Sequence, residues 1–234
     1  MTPTTSSRPR TLATHPEQQS HISLPVFKVL GDRPKNFIER ALSIFADVRA
    51  GEGTTTLLLT VNVFLVLAGY SVMKPARDGL ILTEGGAELA SYSAAAQAVL
   101  LMGVVPLYGW LGTKFVRIRL IGIVTAFFGT ALVGFYLGGM AGLREGFAFY
   151  IFIGLLNVFM VSQFWQFAND LFTEGQGRRL FPLIGVGQSL GAWIGAAAVS
   201  PLVQGLNYTP YTLMLLGAAV LVIAFSTTLM ANTI

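Results

Sequence analysis

Ionisable side chains inside long apolar runs are costly, so each marks a site of function or of pairing. One group closes the first apolar run, Tyr70-Ser-Val-Met-Lys74-Pro75-Ala-Arg77-Asp78. At about 100° per residue, Tyr70, Lys74 and Arg77 share one helical face, and Pro75 between them bends or loosens the helix. Two cations on a kinked helix end suit contact with an anionic solute, with Tyr70 orienting it. They would also raise its local concentration. The alternative is that both cations snorkel to headgroups, with Arg77 and Asp78 paired locally.

A second group lies in the fourth apolar run. Ser162, Gln163, Gln166, Asn169 and Asp170 fall within a stripe about 120° wide at about 100° per residue. Met160, Phe164 and Phe167 lie outside it, although Phe159 intrudes and Asn157 sits well off it. On a membrane helix such a stripe faces a bundle interior or an aqueous path. Gln163, Gln166 and Asn169 are therefore candidates to line a solute path. Interhelical hydrogen bonding, worth about 0.6 kcal/mol per contact, is the structural alternative. Asp170 followed by Arg178 and Arg179 offers a gating ion pair, or an ordinary surface pair.

Gly187, Gly191 and Gly195 recur at intervals of four, the spacing that lets another helix approach closely. The Gly185-Val-Gly187 opening lacks the spacing and βαβ setting of a dinucleotide fingerprint. His15 and His21 sit in a polar N-terminal region, and the chain has no Cys. No nucleophile–base pair, metal cluster or phosphate loop is present in the sequence, so neither an enzyme, a cofactor nor a metal is expected.

The elements that must position these groups follow from composition. Of the 234 residues, 53% are hydrophobic and 11% charged, with mean hydropathy +0.66. A soluble domain carries about 25% charged residues, so a disordered chain, a nucleic-acid binder and most soluble enzymes are excluded. From Thr54 onward the chain breaks into apolar stretches of about 20 residues, the length of a bilayer crossing. Six are expected, at about 54–74, 89–111, 118–140, 146–169, 180–203 and 211–232. The alternation of a β-barrel is missing.

Placement of Lys and Arg sets the orientation. The N-terminal region holds Arg8, Arg10, Lys28, Arg33, Lys35, Arg40 and Arg49. The loop after the second span holds Lys114, Arg117 and Arg119, and that after the fourth holds Arg178 and Arg179. Lys74, Arg77 and Arg144 fall on the other side. Both termini are thus expected in the cytoplasm of a cell whose inner (cytoplasmic) membrane holds the chain. The net charge of +4 is read as topology charge, not as a nucleic-acid surface.

Residues 1–34, rich in Thr, Ser, Pro and Gln, read as a disordered cytoplasmic tail. Residues 35–52 read as an amphipathic helix on the membrane surface, with Phe37, Ile38, Leu42, Ile44, Phe45 and Val48 on one face. Residues 53–234 form the transmembrane bundle. The last span stops without a flanking Lys or Arg, the pattern expected of the first half of something larger.

Arg77-Asp78-Gly79 and Asn169-Asp170-Leu171 end the first and fourth spans in similar fashion. That echo suits two triplets of spans in a 3+3 inverted repeat, the construction of a major facilitator half. Two longer stretches carry a family resemblance. Lys74-Pro-Ala-Arg77-Asp78-Gly-Leu-Ile-Leu-Thr83-Glu-Gly-Gly-Ala-Glu88 resembles the end of the first helix in nucleotide (ATP/ADP) translocases. Phe164-Trp-Gln-Phe-Ala-Asn169, with the Arg178-Arg179 and Gly185-x-Gly187 that follow, is similar to a second motif of that family. The family's Lys before the Asp is Arg77 here, and Ile151–Leu155 lacks the family's Glu. Gly109-Trp-Leu-Gly-Thr-Lys114-Phe-Val-Arg117 is a loose form of the major facilitator loop.

The resemblance implies an all-α membrane protein, the N-terminal six-helix bundle of a major facilitator-type fold. It implies alternating-access transport of a small anionic solute, such as a nucleotide in ATP/ADP exchange by an antiporter. Its implied partners are the lipid bilayer and a second six-helix half, whether a continuation of the same gene, a partner chain or a homodimer. A non-transporting membrane scaffold or sensor is the alternative.

Overall fold

The structure, a computed structural model, describes residues 36–44 and 46–233, with the backbone alone at Ile38. The expected disordered tail lies outside these residues. Every described element is helical: α1 Phe37–Leu42, α2 Gly53–Lys114, α3 Arg117–Met140, α4 Gly146–Leu171, α5 Glu174–Ser200 and α6 Pro210–Asn232. A π-helical turn, Pro201–Gly205, extends α5. Five of the helices, α2 to α6, are long and apolar enough to cross a membrane. The chain is an all-α protein built for a bilayer, where only structures that satisfy their own backbone can span.

Helix α2 covers both of the first two apolar runs in 62 residues, with Pro75 and Pro106 inside it. Its regularity fails once, at Gly86, with φ 66° and ψ −163°. A side chain is strained at that positive φ, and glycine is not. The contacts on either side show that the chain reverses direction there. In the first arm Thr60, Phe64 and Ala68 meet Gly187, Gly191 and Gly195 in turn, so this arm runs parallel to α5. In the second arm Gln97 lies against Gly154 and Tyr108 against Phe159, so that arm runs parallel to α4. Helices α4 and α5 form a hairpin through Phe172 and Thr173, and the two arms are therefore antiparallel.

Helix α6 packs antiparallel to the first arm, with Asn62 against Ala224 and Met73 against Gly217. Helix α3 runs antiparallel to α4 along an aromatic ladder, Phe128 meeting Phe152 and Phe159 while Phe135 meets Phe149 and Phe152. Leu59, Met73, Leu132, Phe149, Ile153, Leu156, Met214 and Leu221 are fully buried. In lipid the apolar surface gains nothing by leaving its solvent, so close packing carries the association.

The 35–52 segment differs from the expected surface helix. Helix α1 ends at Leu42, because Glu39 ties the chain back on itself: its carboxylate accepts the Asn36 N–H and the Gly51 N–H, each at 2.7 Å. The apolar face is thereby divided. Phe37 and Ile44 are exposed, whereas Val48 is buried against Leu180 and Leu183 of α5, beside Leu42 and Ala46. Phe45 and the Ile38 side chain lie outside the described residues.

Candidate functional site

The polar residues of the bundle gather at three levels. The first is the end of the bundle where α2 bends at Gly86. Lys74 is exposed there, and Tyr70 is half-buried against the core. The Arg77 side chain is only 11% exposed. Its Nε and Nη2 donate to Asp78 Oδ1 at 2.9 and 2.7 Å, and its guanidinium lies 4.3 Å from the centroid of the Tyr150 ring. Arg77 is thus held by its own neighbour and by a cation–π contact to α4. Close by, the Glu84 carboxylate accepts the N–H groups of Glu145 and Gly146 at 3.0 and 2.9 Å. A carboxylate at those orphan donors caps α4 and complements its dipole. Burial and the Glu84 charge push the Glu145 carboxyl above its ordinary value.

The second level is the interior. Gln163 is 2% exposed, and both atoms of its amide lack a hydrogen-bond partner. It lines a small cavity with Asn62, Thr125 and Thr228, among Met160 and Phe164. Four helices contribute these polar groups: α2, α3, α4 and α6. The Asn62 amide donates to Ala224 O at 2.6 Å and to the Thr227 and Thr228 hydroxyls at 2.8 Å. The Tyr108 hydroxyl, from the second arm of α2, is also buried and unpartnered. Its ring packs edge-on against Phe159, one turn before Gln163 on α4, with centroids 5.1 Å apart.

The third level is a cleft of about 500 Å³ at the Gly53 end, lined by Tyr108, Arg117, Gln166 and Asp170 among others. Arg117 opens α3 and reaches across to α4. Its Nη1 donates to Gln166 Oε1 at 2.6 Å, and its Nε pairs with Asp170 Oδ2 at 2.9 Å. From Tyr150 to Gln166 the α4 axis rises about 24 Å at about 1.5 Å per residue, so Arg77 and this cleft stand at opposite ends of the bundle.

The expected gating pair of Asp170 with Arg178 or Arg179 is corrected here. Asp170 pairs with Arg117. The chain leaves α4 at Leu171 and turns into α5 at Thr173, which carries both later arginines away. Arg178 bonds Glu174 one turn earlier in its own helix, at 2.7 Å. Arg179 pairs with Glu52 at 3.0 Å and also reaches Asp47 and its carbonyl. Burial pushes the Glu52 carboxyl up, but hydrogen bonds from the Arg49 N–H, Arg179 and Gln176 outweigh it and hold the group below its ordinary value.

The α4 stripe also divides. Gln163 is buried, Gln166 and Asp170 face the Arg117 cleft, and Asn169 lies in a separate cleft with Phe172, Glu174, Arg178 and Phe181. Gly187, Gly191 and Gly195 form the contact with the first arm of α2. A Cβ on Gly191 would stand 2.8 Å from Phe64 Cα, and one on Gly195 2.8 Å from Ala68 Cα. Sequence reasoning did not select Asn62, Tyr108, Thr125 or Thr228, and it counted Arg117 as topology charge and as the end of a loose loop motif, not as a partner of Asp170. Asn62, Tyr108 and Thr125 have no polar residue three or four positions away to signal a face, and Thr228 has only Asn232. Among the described residues no group of His, Cys, Asp or Glu is arranged to hold a metal ion. Compared with models of known families, with curated proteins and with solved structures, the chain matches none.

Proposed function

We propose that the chain is the N-terminal six-span half of a secondary transporter that moves a small anionic solute, such as a nucleotide, by alternating access. In this reading the two arms of α2 are the first and second spans, and α3 to α6 are the other four, arranged as a 3+3 inverted repeat of the major facilitator kind. Both termini face the cytoplasm. The Arg117 cleft is the cytoplasmic mouth, and Lys74 and Arg77 meet the anion at the opposite end with Tyr70 orienting it. Gln163 and Gln166 line the route between, and Asn169 borders its mouth. The Arg117–Asp170 pair, joining α3 to α4, takes the gating role.

The observation that carries the reading is Gln163. A polar group that served only to hold helices together would be partnered, and leaving one unpartnered in a buried site costs about 1–3 kcal/mol. Its amide is unpartnered and 2% exposed beside a small cavity that Asn62, Thr125 and Thr228 also line. A polar group inside a membrane span that faces the bundle interior is a functional candidate by default. A second six-helix half supplies the surface against which this one rocks.

Reconstitution of the full gene product into liposomes loaded with ADP tests this directly. Labelled ATP is expected to accumulate above the level in empty liposomes, and equal uptake in both sinks nucleotide exchange. The matched Arg77→Ala variant is expected to lose at least about ten-fold in uptake, equivalent to about 1.4 kcal/mol of anion contact. An unchanged rate removes Arg77 from the site.

A further inference from the structure

The cavity beside Gln163 has a size and a chemistry that select its occupant. It gives water centres about 30 Å³ of freedom, where one water needs about 10–15 Å³. In this conformation that is space for about two or three waters. No charged side chain lines it, so neither an anion nor a bare cation finds a counter-charge. The decisive group is the Gln163 amide, which presents both an unpartnered donor, Nε2, and an unpartnered acceptor, Oε1. A cation satisfies only the oxygen and an anion only the nitrogen. Water does both, and the lining Thr125 hydroxyl, with the Thr228 oxygen as a further acceptor, brings its partners to the usual two to four. Empty cavities in proteins are apolar, whereas polar ones of this size are hydrated.

We propose that this cavity is an internal water site, held by Gln163 with Asn62, Thr125 and Thr228, at the junction of α2, α3, α4 and α6. Tyr108, whose hydroxyl is buried and unpartnered, lines the Arg117 cleft and packs its ring on Phe159, one turn from Gln163. The bound water therefore forms the inner end of a polar route that starts at the Arg117–Gln166–Asp170 cleft, with Tyr108 and Gln163 as the wall between cleft and cavity. This deepens the transport reading at the same residue. Its test uses no solute, so the two fail separately.

Radiolytic hydroxyl-radical footprinting of the full chain in lipid nanodiscs reads the site, because radicals form from water next to the side chain they oxidise. Met160 lines the cavity and is 6% exposed, whereas Met214 and Met73 are 0% exposed and outside it. Met160 is expected to oxidise at least about five-fold faster than Met214 and Met73. A rate no greater than theirs overturns the water site. In Gln163→Leu the Met160 rate is expected to fall to that of Met214, while Met102 and Met140, which are exposed, stay unchanged. Unaltered Met160 oxidation in that variant removes Gln163 as the holder of the water. Should Gln163→Leu fail to fold, the wild-type comparison of Met160 with Met214 decides the proposal.

Discussion

Glu145 shows how one side chain can work against the fold that holds it. It precedes α4 beside Glu84, whose carboxylate already occupies the first N–H groups of that helix. One of its oxygens is buried without a partner. Burial first, and the Glu84 charge second, raise its carboxyl above the ordinary 4.5. A carboxyl raised in the folded state adds stability below its unfolded value, and that contribution is lost as pH rises through the folded value. Glu145→Gln is therefore expected to raise the thermal midpoint at pH 7 and to leave it unchanged near pH 4. A midpoint lowered at pH 7 would show that the charge is instead favourably bound. Arg77 is the contrasting residue, because its charge is compensated twice, by Asp78 and by the Tyr150 ring.

At the scale of elements, the backbone contact between α5 and the first arm of α2 dominates. Gly191 leaves no room for a side chain, since its nearest neighbours are backbone atoms of Phe64, which cannot swing aside. Gly191→Val is expected to separate the two helices and cost about 1–3 kcal/mol, the usual range for an overpacked core. Thermal unfolding in detergent, with the exposed Val186→Ala as a control, measures it; equal midpoints for both variants would refute the close contact. The glycine spacing was legible in the sequence because i, i+4 positions share a face on any helix. The helix that would occupy that face was not, since nothing in α5 names Thr60, Phe64 and Ala68. Segment 35–52 illustrates the converse. Its apolar periodicity suggested one continuous helix, but the Glu39 carboxylate binds Gly51 and folds Val48 onto α5. A hydrogen bond over twelve positions is invisible to helical periodicity.

For the whole molecule, orientation is the testable quantity. The absence of Cys means that single cysteines can be introduced without removing any. Ala141 follows α3 and Thr173 precedes α5, and both are exposed at opposite ends of the bundle. With both termini in the cytoplasm, a membrane-impermeant thiol reagent on intact cells is expected to label Ala141→Cys and to spare Thr173→Cys. The reverse pattern inverts the topology. The Lys and Arg asymmetry on which this rests follows from composition, because retention of cations on one side depends on the loops and not on packing.

What the sequence determined by itself is everything that helical periodicity and run length encode: apolar helices of bilayer length, a polar stripe on α4 and a glycine face on α5. Each is a property of one segment, set by side chains a turn apart. Which segments meet is set by the packed bundle. It joined the first two apolar runs through Gly86 and gave Asp170 to Arg117 instead of to the nearer Arg178 and Arg179. It placed Gln163 in a cavity whose walls come from four helices. The reason is geometric. Rotation and register between packed helices depend on all the contacting side chains at once, and a one-turn change in either would hand each polar group a different partner.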